Sequence, residues 1–394
     1  MSGLRLGILT SHPIQYYSPI FRELARRAPI RVFFAHRASA ADQAGAGYGV
    51  PFEWDTDLLG GFEHVFLKNV ARRPGVSSFF SCDTPSVAAE IGRGGFDAFL
   101  VTGWNLKCYW QAVGACRRER VPVLVRGDSQ LETPRHPVKN FFKSAVYPGL
   151  VRRFDGFLAV GERSRAYFMR YGAPAGRVFL SPHCVDTGWF AARAAEAAGR
   201  RAALRSEAGA RPGETQILFV GRLVDQKRPL DLVAACARLA ERGRPSRLWI
   251  VGAGPLEDAV RRSAAAAGVP VHFAGFKNQT ELPAYYAAAD LLALPSDARE
   301  TWGLVVNEAM ACGLPAVVSD AAGCSADLVI EGETGSVFRT GDAAALAEAV
   351  ERFLPRRDKP ETTAALRRVT AAHSPASAAD GILEAAKAVR KGRE

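Results

Sequence analysis

Short apolar runs alternate with segments of helical hydrophobic period through the second half of the chain. The apolar runs predict strands at residues 216–220, 248–251, 271–274, 291–294, 316–319 and 336–338. The segments between them predict helices at residues 229–242, 256–267, 281–288, 304–312 and 343–353. Strands that alternate with helices are typical of a parallel sheet wrapped by its crossover helices. We therefore predict a six-stranded, doubly wound domain that binds ligands beyond the carboxyl ends of its strands.

The first half of the chain shows the same alternation less regularly. Strands are predicted at residues 4–9, 31–35, 98–102, 121–126 and 157–160, and helices at residues 20–27 and 189–208. The turn-prone sequence GARPG at 209–213 predicts a domain boundary. The predicted fold class is α/β, with two Rossmann-like doubly wound domains, 1–208 and 209–375, facing across a cleft. Residues 376–394 are predicted to form a C-terminal helix or tail that packs back on the N-terminal domain.

Composition narrows the class of protein. A chain of 394 residues with 48% hydrophobic and 23% charged residues exceeds one ordinary domain and is too apolar to be disordered. Its longest stretch without charged residues, 6–21, has 16 residues and two prolines, so no membrane-spanning helix is predicted. No secretory pattern begins the chain, and the seven cysteines never form CxxC. We therefore expect a cytoplasmic protein with reduced thiols.

Positive charge is concentrated in the first half of the chain. Residues 1–190 contain 24 Lys and Arg against 15 Asp and Glu, which places +9 of the net +11 there. This asymmetry indicates an anionic partner, such as nucleic acid, a membrane surface or a phosphorylated acceptor. The alternative is a basic surface that is merely solvated.

One basic segment, 135–154, interleaves cations with aromatic residues. These cations and aromatic residues are Lys139, Lys143, Arg152, Arg153, Phe141, Phe142, Tyr147 and Phe154. Charged heads on apolar or aromatic bodies suit a membrane interface. We therefore expect the four cations to contact the inner face of an anionic membrane. The alternative is that the aromatic residues fill the domain core while the cations face water.

Candidate chemistry begins at the first strand of the second half, in ILFVGRLVDQKRP. Gly221 ends this strand and permits a positive φ and a close approach of a ligand to the backbone. Arg222 and Lys227 follow on the loop that leads into a helix. A guanidinium fork and an ammonium suit a diphosphate, although basic residues near a helix start are also common on ordinary surfaces.

Two glutamates with seven residues between them flank a predicted helix start in RETWGLVVNEAMACGL. Glu300 precedes this start, and Glu308 lies just over one turn inside the helix. The free N–H groups and the positive dipole end of the helix face the predicted cleft. Glu308 can accept both hydroxyls of a ribose, and Glu300 can bind sugar hydroxyls if nearby cations offset its charge. The alternative is that both are ordinary helix-start and surface residues.

The second half resembles the retaining GT-B glycosyltransferases of family 4 in GRLVDQK, VGAGP, HFAGF, ETWGLVVNEAMACGLP and SDAAGCSADLVIEGETG. The resemblance covers residues 215–350 closely and in the family's order. It implies a GT-B fold whose C-terminal domain binds a nucleotide diphosphate sugar. It also implies that Arg222 and Lys227 hold the diphosphate with help from the backbone of Gly303, Leu304 and Val305.

The resemblance also implies which residues bind the remaining parts of the donor. It implies that Glu308 binds the ribose, that Glu300 binds the donor sugar near its reacting carbon, and that the backbone around Phe276 and Lys277 meets the base. Trp302 stands where many relatives carry Phe. The implied enzyme is a hexosyl- or N-acetylhexosaminyltransferase that retains anomeric configuration and requires no metal or other cofactor. Its expected acceptor is a glycan or lipid-linked saccharide of cell-surface polysaccharide synthesis.

The first half matches the family less closely. It resembles a subgroup with an HPIQY pattern in the first strand-to-helix loop. We expect His12 of this pattern to be a catalytic residue that contacts the acceptor or donor sugar, and the alternative is a structural cap. Trp104 and Asn105, in VTGWNLK, stand where relatives often carry a cleft histidine. Asp128, in VRGDS at the end of a strand, is either a further catalytic candidate or a turn residue. PHCVD at 182–186 is expected to act as a hinge.

Other classes of protein compete with this assignment. Asp55 and Asp57 form a DxD sequence, the metal motif of a different glycosyltransferase fold, but they do not follow a buried strand. VGAGP lacks the later acidic residue of a dinucleotide fingerprint, which disfavours a dehydrogenase. The alternatives that remain are a GT-B-fold nucleotide-sugar epimerase and a basic nucleic-acid-binding protein, for which no motif is present.

Overall fold

Seven parallel strands form the sheet of the N-terminal domain in a computed structural model that describes residues 3–43 and 51–391. The strands are β1 (Leu6–Thr10), β2 (Ile30–Phe34), β3 (His64–Phe66), β4 (Ala98–Val101), β5 (Val123–Gly127), β6 (Gly156–Ala159) and β7 (Val178–Leu180). They are ordered β3-β2-β1-β4-β5-β6-β7. The order reverses at β1, where Leu6 pairs with both Ile30 and Ala98. This reversal opens a crevice at the carboxyl ends of the strands.

Six parallel strands form the sheet of the C-terminal domain. They are β8 (Thr215–Val220), β9 (Ser246–Val251), β10 (Val271–Gly275), β11 (Leu291–Leu294), β12 (Ala316–Ser319) and β13 (Gly335–Phe338). Their order, β10-β9-β8-β11-β12-β13, reverses at β8. The predicted fold class, two Rossmann-like doubly wound domains, is therefore confirmed.

Helices cover the faces of both sheets. In the N-terminal half they are α1 (Ser18–Arg27), α2 (Ala40–Gln43), α3 (Val87–Gly94), α4 (Lys107–Arg118), α5 (Pro137–Val151), α6 (Glu162–Arg170), α7 (Thr187–Ala197) and α8 (Arg201–Glu207). In the C-terminal half they are α9 (Pro229–Glu241), α10 (Glu257–Ala266), α11 (Leu282–Ala288), α12 (Leu304–Ala311), α13 (Ser325–Leu328), α14 (Ala343–Phe353), α15 (Pro360–Ala372) and α16 (Pro375–Lys391). None of the helices within the described ranges has the length and hydropathy to cross a membrane.

Both faces of each sheet are apolar because helices cover them on both sides. In β1 all five residues are buried. Ile8 packs into the core on one face with Leu100, and Leu9 packs into the core on the other face with Val101. Strands buried on both faces read as continuous apolar runs, which is why the sequence pattern located them.

The chain crosses between the two domains twice. Phe190 of α7 and Leu204 of α8 lie in the same core cluster as Met310 of the C-terminal domain. The packing therefore assigns α7 and α8 to the C-terminal domain, although the predicted boundary lies at 208/209. An amphipathic helix next to a boundary carries no sequence signal that says which domain will cover its apolar face.

The last helix, α16, returns to the N-terminal domain. Ile382 lies in the core cluster that contains Ile8 of β1. A Cβ on Gly381 would lie 1.8 Å from the carbonyl oxygen of Leu180, so this helix touches β7 through its backbone. Residues 376–391 of the predicted C-terminal helix are thus seated on the N-terminal sheet, and residues 392–394 lie outside the described residues.

Candidate functional site

A cavity of about 380 Å³ lies between the two domains, beside the ends of β8 and β9 and the start of α12. Of the predicted site residues, all except His12 line it: Asp128, Arg222, Lys227, Phe276, Lys277, Glu300, Gly303, Leu304, Val305 and Glu308. The N-terminal domain also contributes Gln15, Tyr16, Trp54 and His183. The structure therefore brings the two separate sequence motifs of the second half to one place.

Two glycine-containing loops form the wall that carries the cations. Gly221 has a φ of 148° and Gly252 a φ of 132°, both unfavourable for other residues. A Cβ on Gly252 would lie 2.0 Å from the carbonyl oxygen of Gly221, so the loops can touch only through their backbones. This contact fixes the loop from which Arg222 and Lys227 reach the cavity.

A salt bridge joins Lys227 to Glu300 within the cavity. Their side chains retain 12% and 15% of their accessible surface, so water screens the pair only weakly. The carbonyl oxygen of Glu300 accepts hydrogen bonds from the backbone N–H of Gly323 at 3.0 Å and from the side-chain amide of Gln130 at 3.2 Å. An anion that binds Lys227 must therefore compete with the carboxylate of Glu300, whose backbone is held from both domains.

The N-terminus of α12 opens into the same cavity. Gly303 precedes the helix with a φ of 110°, and a Cβ there would lie 2.6 Å from a methyl group of Leu294. Among the described residues no side chain caps this helix end. The first N–H groups and the positive end of the helix dipole are thus available to an anionic ligand.

Glu308 is the most deeply buried carboxylate of the cavity, with 8% of its surface exposed. The hydroxyl of Tyr286 donates a hydrogen bond to its Oε2 at 2.6 Å. Burial raises the pKa of Glu308 to about 7, and the hydrogen bond from Tyr286 opposes that shift. Its remaining lone pairs can accept further hydrogen bonds, as a vicinal diol would supply.

The raised pKa of Glu308 predicts how stability depends on pH. The pKa of Glu308 is higher in the folded state than its unfolded value of 4.5. The protonated carboxyl therefore contributes its full stabilisation below pH 4.5, and this contribution is lost as pH rises through about 7. As pH rises from 4.5 to 8, the free energy of unfolding of Glu308→Gln should increase by about 3 kcal/mol relative to that of the unmodified, nucleotide-free protein. Denaturant melts over this range measure the gain. The exposed Glu241→Gln is the control, and a pH-independent difference for Glu308→Gln would contradict the assignment.

Asp128 reaches the cavity from the N-terminal domain. It accepts a hydrogen bond from the hydroxyl of Thr301 across the cleft at 2.9 Å. Gln130 donates to the carbonyl oxygen of Ala298 at 2.9 Å, and Arg163 donates to that of Ala321 at 2.9 Å. The N-terminal domain therefore holds the loop that carries Glu300.

His12 lies on the loop after β1 but not among the residues that line the cavity. Its Nδ1 lies 2.9 Å from the hydroxyl oxygen of Ser11. Burial, together with the smaller effect of the neighbouring His36, lowers the pKa of His12 to about 4. The imidazole is therefore neutral near pH 7, beside His36 and away from the predicted donor site.

His183 was assigned only to a hinge, yet its ring lines the cavity. The ring packs edge-on against Tyr16, with centroids 5.5 Å apart, and lies 5.4 Å from the ring of Trp302. Burial lowers its pKa well below the usual value, and its Nδ1 has no hydrogen-bond partner within the described chain. The sequence could have indicated this position only because His183 follows the last strand of the N-terminal sheet. Loops that follow parallel strands lie at the carboxyl edge of the sheet, which here faces the cleft.

Aromatic residues close the far end of the cavity. Phe276 and Lys277 follow β10, and both line the cavity. The ring of Phe276 lies 4.7 Å from that of Phe52, which in turn packs edge-on against Trp54. Trp54 was not predicted to lie here, because the DxD sequence beside it indicates nothing about the direction of an aromatic side chain.

The two carboxylates of the DxD sequence bind different groups. Asp55 accepts a hydrogen bond from the backbone N–H of Thr280 at 3.1 Å, across the domain interface. Asp57 accepts hydrogen bonds from the backbone N–H groups of Leu59 and Gly60, each at 2.9 Å. These carboxylates therefore stabilise a domain contact and a turn.

Residues 200–367 match the model of the family described as glycosyl transferases group 1. The C-terminal domain belongs to this family. The matched region contains Arg222, Lys227, Glu300 and Glu308. Both sequence motifs that line the cavity therefore lie within it. The predicted resemblance of the second half to glycosyltransferases of this group is thereby confirmed.

Curated relatives are similar over part of their length. The chain is 36% identical over 235 residues to a D-inositol 3-phosphate glycosyltransferase from Nocardia farcinica, covering 57% of this chain and 50% of that protein. It is 34% identical over 208 residues to a GDP-mannose-dependent alpha-(1-6)-phosphatidylinositol monomannoside mannosyltransferase from Mycolicibacterium smegmatis, covering 50% of this chain and 53% of that protein. The chain thus spans about half the length of these relatives.

Solved structures share the fold over the whole chain. The crystal structure of Anabaena HepE in complex with UDP is similar with a TM-score of 0.70 and 19% identity, covering 98% of this chain and all of that one. The two-domain arrangement is therefore the GT-B fold that the sequence resemblance implied.

Proposed function

We propose that this protein is a glycosyltransferase that moves a hexosyl or N-acetylhexosaminyl group from a nucleotide diphosphate sugar to a saccharide acceptor. One observation carries the proposal: two cations, a helix N-terminus and two carboxylates of the glycosyl transferases group 1 domain converge on one cavity. The N-terminal domain forms the opposite wall. The family match and the glycosyltransferase activity in the names of both relatives support it.

The mechanism we propose is mainly electrostatic. Arg222, Lys227 and the N-terminus of α12 stabilise the charge that develops on the departing diphosphate. When the diphosphate pairs with Lys227, Glu300 is released to accept hydroxyls of the donor sugar. These protein cations offset the diphosphate charge, and we propose that no metal is required. We propose that the acceptor attacks from the leaving-group face, with retention, and that the leaving phosphate accepts its proton.

Two of the predicted catalytic residues, Asp128 and His12, do not take part in the charge stabilisation described above. Asp128 lines the cavity on the side opposite the donor residues, so we propose that it orients the acceptor. His12 lies outside the cavity lining, and no step of the mechanism uses it.

Binding and product analysis test the proposal. We expect one of UDP, GDP and ADP to raise the melting temperature, since a nucleotide at 100 times its Kd adds about 2.7 kcal/mol. The matching nucleotide sugar should remain unchanged when incubated with the protein without acceptor. Conversion of the sugar to its epimer under these conditions would support the epimerase alternative, and the absence of any nucleotide binding would contradict both enzymes.

We further propose that the acceptor is a glycan or lipid-linked saccharide of cell-surface polysaccharide synthesis, used by a cytoplasmic enzyme at the inner membrane face. The exposed face of α5 supports this, because Val138, Phe141, Phe142 and Val146 are 54%, 72%, 61% and 51% exposed. Exposed apolar clusters of this kind mark interaction sites. The mannosyltransferase relative acts, by its name, on a phosphatidylinositol derivative.

The structure corrects the set of residues proposed to contact the membrane. Lys139, Arg152 and Arg153 are exposed, whereas Lys143 is buried. The prediction of Lys143 as a membrane contact is therefore wrong, because its side chain turns into the domain. Phe154 also packs into the core and makes no surface contact.

We expect the protein to co-sediment with liposomes, more with rising anionic lipid content and less at high salt, because each basic side chain near the surface adds about 1 kcal/mol. Replacing Phe141 and Phe142 with serine should reduce pelleting at every lipid composition. Changing Lys139, Arg152 and Arg153 to glutamate should abolish the dependence on anionic lipid. Failure to pellet at low salt would overturn the membrane contact without affecting the transferase assignment.

A further inference from the structure

A second cavity, of about 630 Å³, lies in the N-terminal domain beside α5. The side chains of Trp104 and Trp110 line it together with two cations, Arg135 and Lys143. Aromatic rings combined with a few charged groups in a concave site are typical of small-molecule binding. Neither the donor cavity nor the exposed face of α5 accounts for this combination.

Lys143 is a buried cation with no carboxylate partner. It retains 9% of its accessible surface, and it forms no salt bridge with any described residue. Its ammonium lies over the rings of Tyr147, Tyr167 and Tyr171 at 4.7, 4.8 and 5.3 Å. These rings offset part of the cost of burying the charge. Burial, together with the smaller effect of the charge of Arg135, lowers the pKa of Lys143 to about 8. The two cations are close enough for their charges to interact, and neither forms a salt bridge with a described residue.

The second cavity is linked to the donor site through shared wall residues. A third cavity, of about 270 Å³, shares Trp104, Asn105, Ser129 and Tyr167 with the second. The third cavity also shares Asp128 with the donor cavity. The three cavities are therefore neighbours, with Lys143 in the wall of the second and Asp128 in the walls of the third and of the donor cavity.

We propose that Lys143 and Arg135 bind a phosphate group of the acceptor, and that the tryptophan-lined cavity holds the part of the acceptor next to it. The acceptor would then extend past Asp128 toward the donor. That the bound molecule is an acceptor rests on the proposed transferase function, whereas the phosphate site rests on the cavity and its two cations. The phosphate belongs either to a soluble sugar phosphate or to a lipid-linked saccharide, and the two sources can be separated experimentally.

Isothermal titration of the full chain with glucose 6-phosphate and with farnesyl phosphate tests the proposal. At least one probe should bind, and glucose and farnesol, which lack the phosphate, should bind at least 10-fold more weakly or not at all. Lys143→Met, whose apolar stem still fits among the tyrosine rings, should weaken binding by about 10-fold or more. Arg135→Gln, at a half-buried position, should do the same without risk to the fold. Lys68→Met, at an exposed lysine of the same domain, is the matched control and should bind like the unmodified protein.

The outcomes separate this site from the donor site. Binding of glucose 6-phosphate supports a soluble acceptor, and binding of farnesyl phosphate supports a lipid-linked one. Lys227→Ala should leave the binding of these probes intact. If neither probe binds, if the uncharged compounds bind equally well, or if Lys227→Ala removes binding while Lys143→Met does not, the proposal is wrong. Phosphate binding that persists in a protein without affinity for any nucleotide would refute only the transferase function.

Discussion

Replacing Lys227 with alanine is expected to lower kcat/KM by about 10²-fold or more, the cost of losing one preorganised donor to developing charge. The ammonium lies in a shielded cavity beside Arg222, where each charge acts more strongly than at an exposed position. Its removal also leaves Glu300, its partner in the salt bridge, without compensation close to the predicted diphosphate. Arg222→Ala should cause a loss of the same order.

Initial rates over a range of donor concentrations measure this loss, once the donor has been identified. The exposed Arg238→Ala, on α9 of the same domain, removes one positive charge away from the cavity and should leave the rates unchanged. Turnover near that of the unmodified enzyme in the Lys227 or the Arg222 variant would refute the diphosphate assignment.

Glu308→Gln and Glu300→Gln are expected to separate nucleotide binding from sugar transfer. Glu308→Gln removes the charge that would accept the ribose hydroxyls, so binding of the nucleoside diphosphate should weaken by about 10- to 100-fold. This difference should grow between pH 6 and 8, because the pKa of Glu308 is raised to about 7 and the unmodified protein ionises over this range. Glu300→Gln should retain or strengthen nucleotide binding, because Lys227 loses a competing carboxylate, and should lower kcat by about 10²-fold.

Calorimetry with the nucleoside diphosphate and steady-state rates distinguish the two roles. The combined variant Lys227→Ala with Glu300→Gln tests their coupling, since residues in one salt bridge give non-additive effects. If Glu300→Gln abolished nucleotide binding while Glu308→Gln affected only kcat, the roles of the two carboxylates would be reversed.

The sequence by itself determined the alternation of strands and helices and the doubly wound class. Strands covered on both faces must be apolar throughout, so they are visible as runs without reference to the fold. The loops of Arg222 and Glu300 could be located for the same reason, since ligands of doubly wound sheets bind where strands end. The short edge strands β3 and β7 were not predicted. Each has only three residues, none fully buried, so neither produces an apolar run that can be recognised in the sequence.

Only the tertiary structure decided which residues meet across the cleft. His183 and Trp54 line the cavity because of how the domains pack, and no local spacing encodes a contact between residues far apart in the chain. The salt bridge between Lys227 and Glu300 joins positions 73 residues apart in the same way. Lys143 shows the same limit: a basic helix segment predicts surface charge, and only packing against three tyrosine rings turned this cation inward. Side-chain direction depends on neighbours that the fold supplies, so it cannot be obtained from composition or period alone.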